Sequence, residues 1–293
     1  MVIFGDHTRV FKFIDFDFVL GADGVKVLRP NDKVDSKFFF SCLQNVEIKN
    51  LGYSRHYKEL KDKKIPLPPL SIQKKIVEKI ESFQLIIDGA KQVVAGYKPQ
   101  IDIQPDWEMV ELGEVCALEY GFTDTAKESG DARFIRITDI SEEGTLKEAD
   151  IKFVDLNANS QKYLLNFGDL VVARTGATYG KTLHFEEKYP AVFASFLIRL
   201  NFDNNKVLNK YYWIFTLSDD YLTQKQQLMT GGGQPQFNAN AIAKIKFPLP
   251  PLEEQKQIVA HIEREQSLVN ASRELINIFE QKIKDEINKL WEN

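Results

Sequence analysis

The sequence predicts an α+β protein in which globular α/β units made of short strands alternate with long helices. Two observations support this fold class. A stretch of 19 residues that leads into a helical pattern occurs twice, at 63–81 and 245–263. Between the copies lie short alternating runs separated by turn sequences such as YGFTD, ESGDAR and NFDNN. The long period of this repeat indicates two domain-sized units rather than a solenoid.

The repeat itself reads KKIPLPPLSIQKKIVEKIE in the first copy and IKFPLPPLEEQKQIVAHIE in the second. The prolines favour an extended segment and end the strand before it. Ser71 in the first copy, and Glu253 with Glu254 in the second, then stand where a helix starts. They act there as a cap or as charge that complements the helix dipole. A long helix is therefore predicted after each copy.

Both predicted helices carry an apolar seam with alternating spacings of three and four residues, which is typical of a coiled coil. The second helix, of about 40 residues, would be roughly 60 Å long. This length favours a role as a spacer or as the antiparallel partner of the first helix. Glu265 and Ser272 interrupt the second seam. The seams comprise Ile76, Ile80, Phe83, Ile87, Ala90, Val94 and Tyr97 in the first helix, and Ile262, Val269, Ile276, Phe279, Ile283, Ile287 and Leu290 in the second.

The net charge of −4 conceals an asymmetry along the chain. Residues 1–106 hold 17 Lys and Arg against 14 Asp and Glu, whereas the remainder holds 21 against 28. Eight of the basic residues fall between Lys49 and Lys75, together with only two acids, Glu59 and Asp62. This basic segment is either a solvated rim beside a helix start or a surface that faces phosphate.

Other bulk features bear on compartment and membrane. Cys42 and Cys116 are too few for a disulfide framework, and no secretory h-region follows Met1. No apolar run approaches the roughly 18 residues of a membrane span. These features predict a cytoplasmic chain without a membrane partner.

The stretch GDLVVARTGATYGKT at 168–182 is similar to a phosphate loop, which requires four residues between its two glycines. Only three separate Gly176 from Gly180, and the residues after Thr182 alternate as a strand does. An ATP-binding role is therefore rejected.

Four pieces of sequence carry a resemblance to a known family. They are WEMVELGEV, GDLVVARTGATYGKT, GGGQPQFNANAIAKIKFPLPPLEEQKQIV and GYSRHYKELKDKKIPLPPLSIQKKIV. Over essentially its whole length the chain resembles the specificity (S) subunits of type I restriction-modification systems. The resemblance implies two target-recognition domains, each followed by a long helix, with the two helices in an antiparallel coiled coil. Residues 1–66 would form the C-terminal part of the first domain, 67–106 the first spacer helix and linker, 107–250 the second domain, and 251–293 the second spacer helix.

The same resemblance implies DNA-binding residues. A Gln or Asn amide can pair with an adenine edge in the major groove, glycine permits close approach of the backbone, and Thr and Lys can reach DNA. A plain hairpin turn and a polar capping loop remain the alternative interpretations. The candidates are Arg174, Thr175, Gly176, Thr178, Lys181, Gln234, Gln236 and Asn238 in the second domain, and Thr8, Arg9, Lys12, Arg55, His56 and Tyr57 in the first.

A non-catalytic subunit is implied as well. The adenine methyltransferase motif N/D-P-P-Y/F/W is absent, since the Pro-Pro pairs are followed by leucine, and the four histidines have no ligand spacing. No catalytic residue, metal or cofactor is expected. The implied partners are double-stranded DNA, methyltransferase subunits and, through these, a restriction subunit. The alternative function is that of a truncated or silent fragment that serves as a half-site DNA-binding or coiled-coil assembly module.

Aligning the two units also predicts that the first lacks a segment equivalent to residues 107–170. The remnant would then expose sheet edge and apolar surface, including parts of FKFIDFDFVL and KFFFSCL. Completion by a second copy or by a separately encoded fragment, and hence self-association, is one interpretation. A dynamic remnant is the other.

Overall fold

The computed structural model describes residues 1–21, 24–52, 54–231 and 235–291. The chain divides into two compact units that do not follow its linear order. Unit 1 comprises residues 1–97 together with 268–293, and unit 2 comprises residues 98–267. The last helix therefore contributes its first part to unit 2 and its second part to unit 1.

Unit 1 contains an antiparallel sheet of three strands. β1 (Val2–Gly5) lies in the centre, between β2 (Phe11–Phe13) and β3 (Val25–Leu28). Val2 and Phe4 are completely buried, whereas the intervening Ile3 is not, so β1 directs one face into the core. A short helix, α2 (Tyr57–Leu60), contributes Leu60 to the same core.

The KFFFSCL segment, which was expected to expose apolar surface, instead forms helix α1 (Ser36–Gln44). The Asp35 carboxylate accepts hydrogen bonds from the backbone N–H groups of Lys37 and Phe38 and so caps the first turn. Phe38 and Cys42 are four residues apart, share one face of the helix and are fully buried. The expectation for this segment was therefore wrong. The expectation for FKFIDFDFVL is confirmed, because Phe16 and Val19 are 64% and 95% exposed.

The two long helices of the repeat are α3 (Leu70–Gly96) and α8 (Leu252–Asn288). Within unit 1, α3 packs against the C-terminal part of α8 in antiparallel orientation. The rings of Phe83 and Phe279 meet edge to face with centroids 5.4 Å apart. On the rim, Lys79 Nζ lies 2.7 Å from Glu286, and Lys91 Nζ lies 3.0 Å from Glu280. The antiparallel pairing is confirmed, and all fourteen seam residues are buried or half-buried.

Unit 2, as far as its residues are described, contains three sheets. The largest is antiparallel with the order β5-β11-β8-β9; a second has the order β10-β6-β7, with β10 and β6 parallel; the third pairs β12 with β4. In the described part of this unit, four α-helices lie between β4 and β12 in sequence. The strands are β4 (Glu108–Glu111), β5 (Cys116–Tyr120), β6 (Ala132–Ile135), β7 (Phe153–Val154), β8 (Leu170–Ala173), β9 (Thr182–His184), β10 (Ala191–Phe193), β11 (Leu197–Phe202) and β12 (Lys246–Leu249), and the helices are α4 (Leu112–Val115), α5 (Asn209–Phe215), α6 (Asp219–Leu228) and α7 (Ala239–Ala243).

The central strand β8 is buried on both faces. Leu170 and Val172 belong to the larger core cluster, which includes residues of α5 and α7, whereas Val171 and Ala173 belong to a second cluster with residues of β6 and β10. This double burial explains the unbroken apolar run LVVA in the sequence. It also makes β8 a rigid support for the residues that follow Ala173.

The two units share a common framework. The antiparallel order β2-β1-β3 of unit 1 corresponds to β9-β8-β11 of unit 2, and α1, α2 and α3 correspond in sequence order to α5, α7 and α8. In the described part of unit 1 no strands correspond to β4, β5, β6 or β7. In unit 2, β5 covers the outer edge of β11, and β4 pairs with β12.

Candidate nucleic-acid interface

The candidate site of unit 2 begins at the connection between β8 and β9. The chain leaves Ala173, passes through a 3₁₀ turn at Gly176–Thr178 and enters β9 directly after Lys181. Gly176 and Gly180 have φ angles of 72° and 75°, which favour glycine at both positions. The Gly-Lys-Thr triplet therefore leads into a strand, whereas the triplet of a phosphate loop leads into a helix.

A second segment, distant in sequence, docks against this turn. Thr175 and Gln236 form an isolated antiparallel bridge, and the Gly176 N–H donates to the Pro235 carbonyl at 3.2 Å. The Phe237 N–H donates to the Arg174 carbonyl at 2.7 Å. Two sets of candidates predicted separately are thus joined by backbone hydrogen bonds into one surface. We refer to residues 174–181 and 235–238 as the paired loops.

Side chains within the paired loops also hold each other. Thr175 is 3% exposed; its hydroxyl donates to the Pro235 carbonyl and accepts from the Gln236 amide at 3.0 Å. The Asn238 side chain caps α7 by accepting from the Ala241 N–H at 3.1 Å. Thr175 and Asn238 therefore set the shape of the loops, and Gln236 is half-buried at their junction. Gln234 lies outside the described residues.

Arg174 has a fixed orientation. Its guanidinium carbon lies 5.2 Å from the centre of the Tyr120 ring and 5.3 Å from that of Phe196, and its Nε donates to the Ser195 carbonyl at 3.0 Å. Tyr120 is 44% exposed and Phe196 is 51% exposed. The two aromatic residues were not predicted as site residues. Their sequence signal is weak, because each is a single aromatic residue at one end of a strand pattern.

Lys181 is held by an acid. Its Nζ lies 2.6 Å from Glu142 Oε1, and the lysine side chain is only 15% exposed. The neighbouring Thr178 hydroxyl is buried without a hydrogen-bond partner. Glu142 was not predicted, because 39 residues separate it from Lys181.

In unit 1 the corresponding loops also meet. His56 is completely buried, and its Nε2 accepts from the Leu51 N–H at 3.0 Å. The other ring nitrogen therefore carries the proton, and Nδ1 donates to the Asp6 carbonyl at 2.9 Å. The Tyr57 N–H donates to the Asp6 carboxylate at 2.7 Å. His56 and Asp6 thus attach the start of α2 to the β1–β2 turn.

The remaining candidates of unit 1 surround this junction. Arg9 has a φ of 59°, an uncommon value for a residue with a side chain, and its guanidinium donates to the Ile48 carbonyl at 3.4 Å. Thr8, Lys12 and Arg55 are exposed, and Tyr57 is 37% exposed. All eight basic residues of the segment from Lys49 to Lys75 are exposed as well, which agrees with both of its interpretations.

Both cysteine thiols are buried. Burial raises the pKa of the Cys42 and Cys116 thiols to about 12, so neither is a reactive thiolate at neutral pH. Among the described residues, no cluster of three or more His, Cys, Asp or Glu side chains could hold a metal ion. In the described ranges, no helix has both the length and the apolar character needed to cross a membrane.

The chain matches one protein family and is similar to several known proteins. Residues 2–94 and 104–288 match the family described as the type I restriction modification DNA specificity domain. The chain is 26% identical over 275 residues to a putative type I restriction enzyme specificity subunit of Haemophilus influenzae, covering 85% of this chain and 69% of that protein. It is 23% identical over 304 residues to a type I restriction enzyme specificity subunit of Methanocaldococcus jannaschii, covering 87% and 69%.

Two solved structures share the fold. One comes from work on complex assembly and conformational transition of the type I restriction-modification system, with a TM-score of 0.60 at 20% identity, covering 99% of this chain and 80% of that one. The other is the S subunit of a type I restriction-modification system from M. genitalium, with a TM-score of 0.54 at 12% identity, covering 99% and 82%. The chain belongs to the family of type I restriction-modification DNA specificity domains. The resemblance that the sequence suggested is therefore confirmed.

Proposed function

We propose that this chain is the sequence-reading subunit of a type I restriction-modification complex, and that unit 2 reads one half of a bipartite DNA target with its paired loops. The observation that carries the proposal is the backbone pairing of Thr175 with Gln236. It brings a stacked arginine, a lysine and an amide side chain onto one surface supported by β8. Arginine and amide groups read base edges, whereas lysine contacts phosphates.

Within the paired loops the roles divide according to exposure. Gln236 and the half-buried Arg174 are the base-contacting candidates, and Tyr120 and Phe196 add apolar surface that can contact thymine methyl groups. Thr175 and Asn238 act by positioning, since their polar side-chain atoms are already engaged within the loops. Gly176 permits the turn. Lys181 lies on the β9 side of the turn, where a backbone contact is proposed, whereas Thr178, whose hydroxyl is buried, shapes the turn.

Unit 1 is proposed to read the other half-site through the equivalent junction. Thr8, Lys12, Arg55 and Tyr57 are accessible there, whereas the buried His56 and the half-buried Arg9 shape the turn. The basic segment from Lys49 to Lys75 supports phosphate contacts by its charge. The long helices are proposed to set the separation between half-sites, and the regions around them to dock methyltransferase subunits, and through these a restriction subunit. No catalytic role, metal or cofactor is assigned to this chain.

The test is co-expression with a methyltransferase subunit, co-purification, and mapping of methylated adenines in DNA. Stable co-purification and methylation of a bipartite site are expected. Replacing residues 107–250 by the corresponding segment of a relative should change one half of the methylated site and leave the other half unchanged. Methylation of a single half-site would favour the half-site module, and assembly without any effect on DNA would favour a coiled-coil scaffold.

A further inference from the structure

An exposed glutamate pairs with a lysine at the edge of the paired loops. Glu142 Oε1 is 2.6 Å from Lys181 Nζ, and the glutamate side chain is 82% exposed while that of the lysine is 15% exposed. The carboxylate therefore approaches the lysine from the solvent side and covers it. An ion pair of this kind contributes little to stability, so another anion can replace the carboxylate at low cost.

The second lysine, Lys225, reaches the same place from α6. Its stem lies over Gly180 so closely that a Cβ at position 180 would overlap the Lys225 Cδ. Its Nζ lies 5.2 Å from the centre of the Tyr179 ring, a cation–π contact. Burial lowers the pKa of Lys225, and the nearby charge of Lys181 lowers it further. The Lys225 stem therefore lies beside the residue that precedes Lys181, and the charge of Glu142 opposes the lowering of the Lys225 pKa.

Lys147 completes the group. Its Nζ donates to the Thr138 carbonyl at 2.9 Å. The pKa of the Glu142 carboxyl is lowered, first by the hydrogen bond from Lys181 and also by the charges of Lys225 and Lys147. Lys181 pairs directly with this carboxylate, and Lys225 and Lys147 add positive charge nearby. A phosphate group, which offers more acceptor oxygens than a carboxylate, suits such a cluster.

The turn that carries Glu142 is closed by hydrogen bonds. The Ser141 N–H donates to the Thr145 carbonyl at 2.8 Å, and the hydroxyls of the same two residues lie 2.9 Å apart. Gly144, with a φ of 72°, lies so close to the Thr182 carbonyl that a Cβ there would approach it to 2.5 Å. The turn thus packs against the first residue of β9, next to Lys181. Glu142 is therefore held over Lys181 by the fold.

We propose that Lys181 and Lys225 form a binding site for a DNA backbone phosphate, with Lys147 adding charge nearby, and that Glu142 occupies this site until DNA displaces it. The inference rests on the proposed function of the paired loops. It adds Lys225 to the DNA contacts and gives unit 2 an internal competitor that weakens binding to every sequence equally. Base contacts then decide which sites are retained.

The experiment measures binding of a fluorescent random-sequence duplex by the full chain, alone and with methyltransferase subunits, over a range of salt concentrations. Glu142→Gln should bind this duplex about three- to tenfold more tightly. The matched control is Glu128→Gln, because Glu128 Oε1 lies 2.6 Å from Lys152 Nζ with nearly the same side-chain exposures, 84% and 18%. This control removes the same charge from unit 2 and should change affinity less than about twofold.

Lys225→Met keeps the packing over Gly180 and removes the charge, so the slope of log affinity against log salt should fall by about one. Lys225→Arg should restore that slope. Equal affinities of Glu142→Gln and Glu128→Gln, or an unchanged slope in Lys225→Met, would overturn the inference while leaving the proposed function intact. If the wild-type chain binds no DNA, either alone or with methyltransferase subunits, the proposed function is overturned and the inference with it.

Inorganic phosphate at constant ionic strength is the second probe. Phosphate should compete with the duplex for the wild-type chain. Loss of this competition in Lys225→Met would support the site. Phosphate binding to the chain without any effect of Glu142→Gln on DNA affinity would assign the site to a free anion and overturn the inference.

Discussion

Gln73 and Gln255 stand at equivalent positions of the two repeats and make the same three hydrogen bonds, each within its own unit. The Gln73 amide donates to the carbonyls of Pro68 at 2.7 Å and Lys33 at 3.1 Å, and its oxygen accepts from the Asp35 N–H at 2.8 Å. Gln73 thereby joins the proline segment and the start of α3 to the loop that precedes α1.

In unit 2 the Gln255 amide donates to the carbonyls of Pro250 at 2.9 Å and Lys206 at 2.8 Å, and its oxygen accepts from the Leu208 N–H at 2.8 Å. Both glutamines are completely buried. The glutamine of the P-L-P-P-L-x-x-Q motif therefore joins the start of each long helix, by hydrogen bonds, to the residues of its unit that precede the helix. This contact supplies a physical reason for the motif in both copies.

Gln255→Leu should destabilise the chain by about 2 to 4 kcal/mol, because a buried N–H group and two buried carbonyls lose their partner while the side-chain volume changes little. Urea denaturation measures this loss. Gln257→Leu is the control, since Gln257 is exposed on the same helix, and it should change stability by less than about 0.5 kcal/mol. Similar stabilities of the two variants would contradict this role of the glutamine.

Replacing Ile80 and Ile276 by Asp should separate α3 from the C-terminal part of α8. Both residues lie on the apolar seams and are half-buried, so each carboxylate would lose hydration without gaining a partner. We expect a lower melting temperature and loss of assembly with methyltransferase subunits. Leu85→Asp is the matched control on α3, because Leu85 is 75% exposed. A double variant that melts and assembles as the wild type does would count against the helix pair.

Lys181→Ala and Gln236→Ala should weaken DNA binding in different ways. Loss of Lys181 should reduce affinity for all sequences and lower the salt slope by about one. Loss of Gln236 should cost on the order of 1 to 3 kcal/mol on the specific site and little on random DNA. Titration of the assembled complex with both duplexes distinguishes them.

Thr175→Val serves as a control for the loops, because it removes the hydroxyl that holds Gln236 without removing the amide. If its effect on the specific site equals that of Gln236→Ala, the amide acts by positioning the loops. Equal losses of Lys181→Ala and Gln236→Ala on specific and random DNA would refute the assignment of both residues.

The stability of the chain should fall as the pH drops below about 6.5, in part because of His184. Burial lowers the pKa of His184. The charge of Glu186, whose carboxylate lies 3.3 Å from Nδ1, acts in the opposite direction. The unfolded chain therefore takes up this proton at a higher pH than the folded chain does. The contribution of His184 to stability is fully present above the ordinary histidine pKa of 6.5. It is lost as the pH falls towards the lower pKa that His184 has in the folded chain.

His184→Gln should reduce the loss of melting temperature between about pH 7.5 and about pH 5.5. His261→Gln is the control, since the His261 side chain is 69% exposed on α8. An identical pH dependence in the wild type and His184→Gln would exclude this role of His184.

The sequence by itself determined the fold class, the repeated helices and the family. These features depend on local patterns, such as the 3,4 spacing from Ile76 to Tyr97, whose residues are all buried or half-buried. Burial of one helical face against another imposes that periodicity on neighbouring residues, so it can be recognised without knowing the partner. The same holds for the apolar run of β8, which the double-sided core requires.

Tertiary structure alone decided how the candidate site is built. Thr175 and Gln236 are 61 residues apart, and Lys181 and Glu142 are 39 apart, so no local pattern indicates that they meet. The burial of His56 and the contacts of Arg174 with the Tyr120 and Phe196 rings likewise depend on strands that are distant in sequence. Hydrogen bonds and ion pairs between single side chains leave no periodic trace in the sequence, and the folded backbone selects which polar side chains remain accessible.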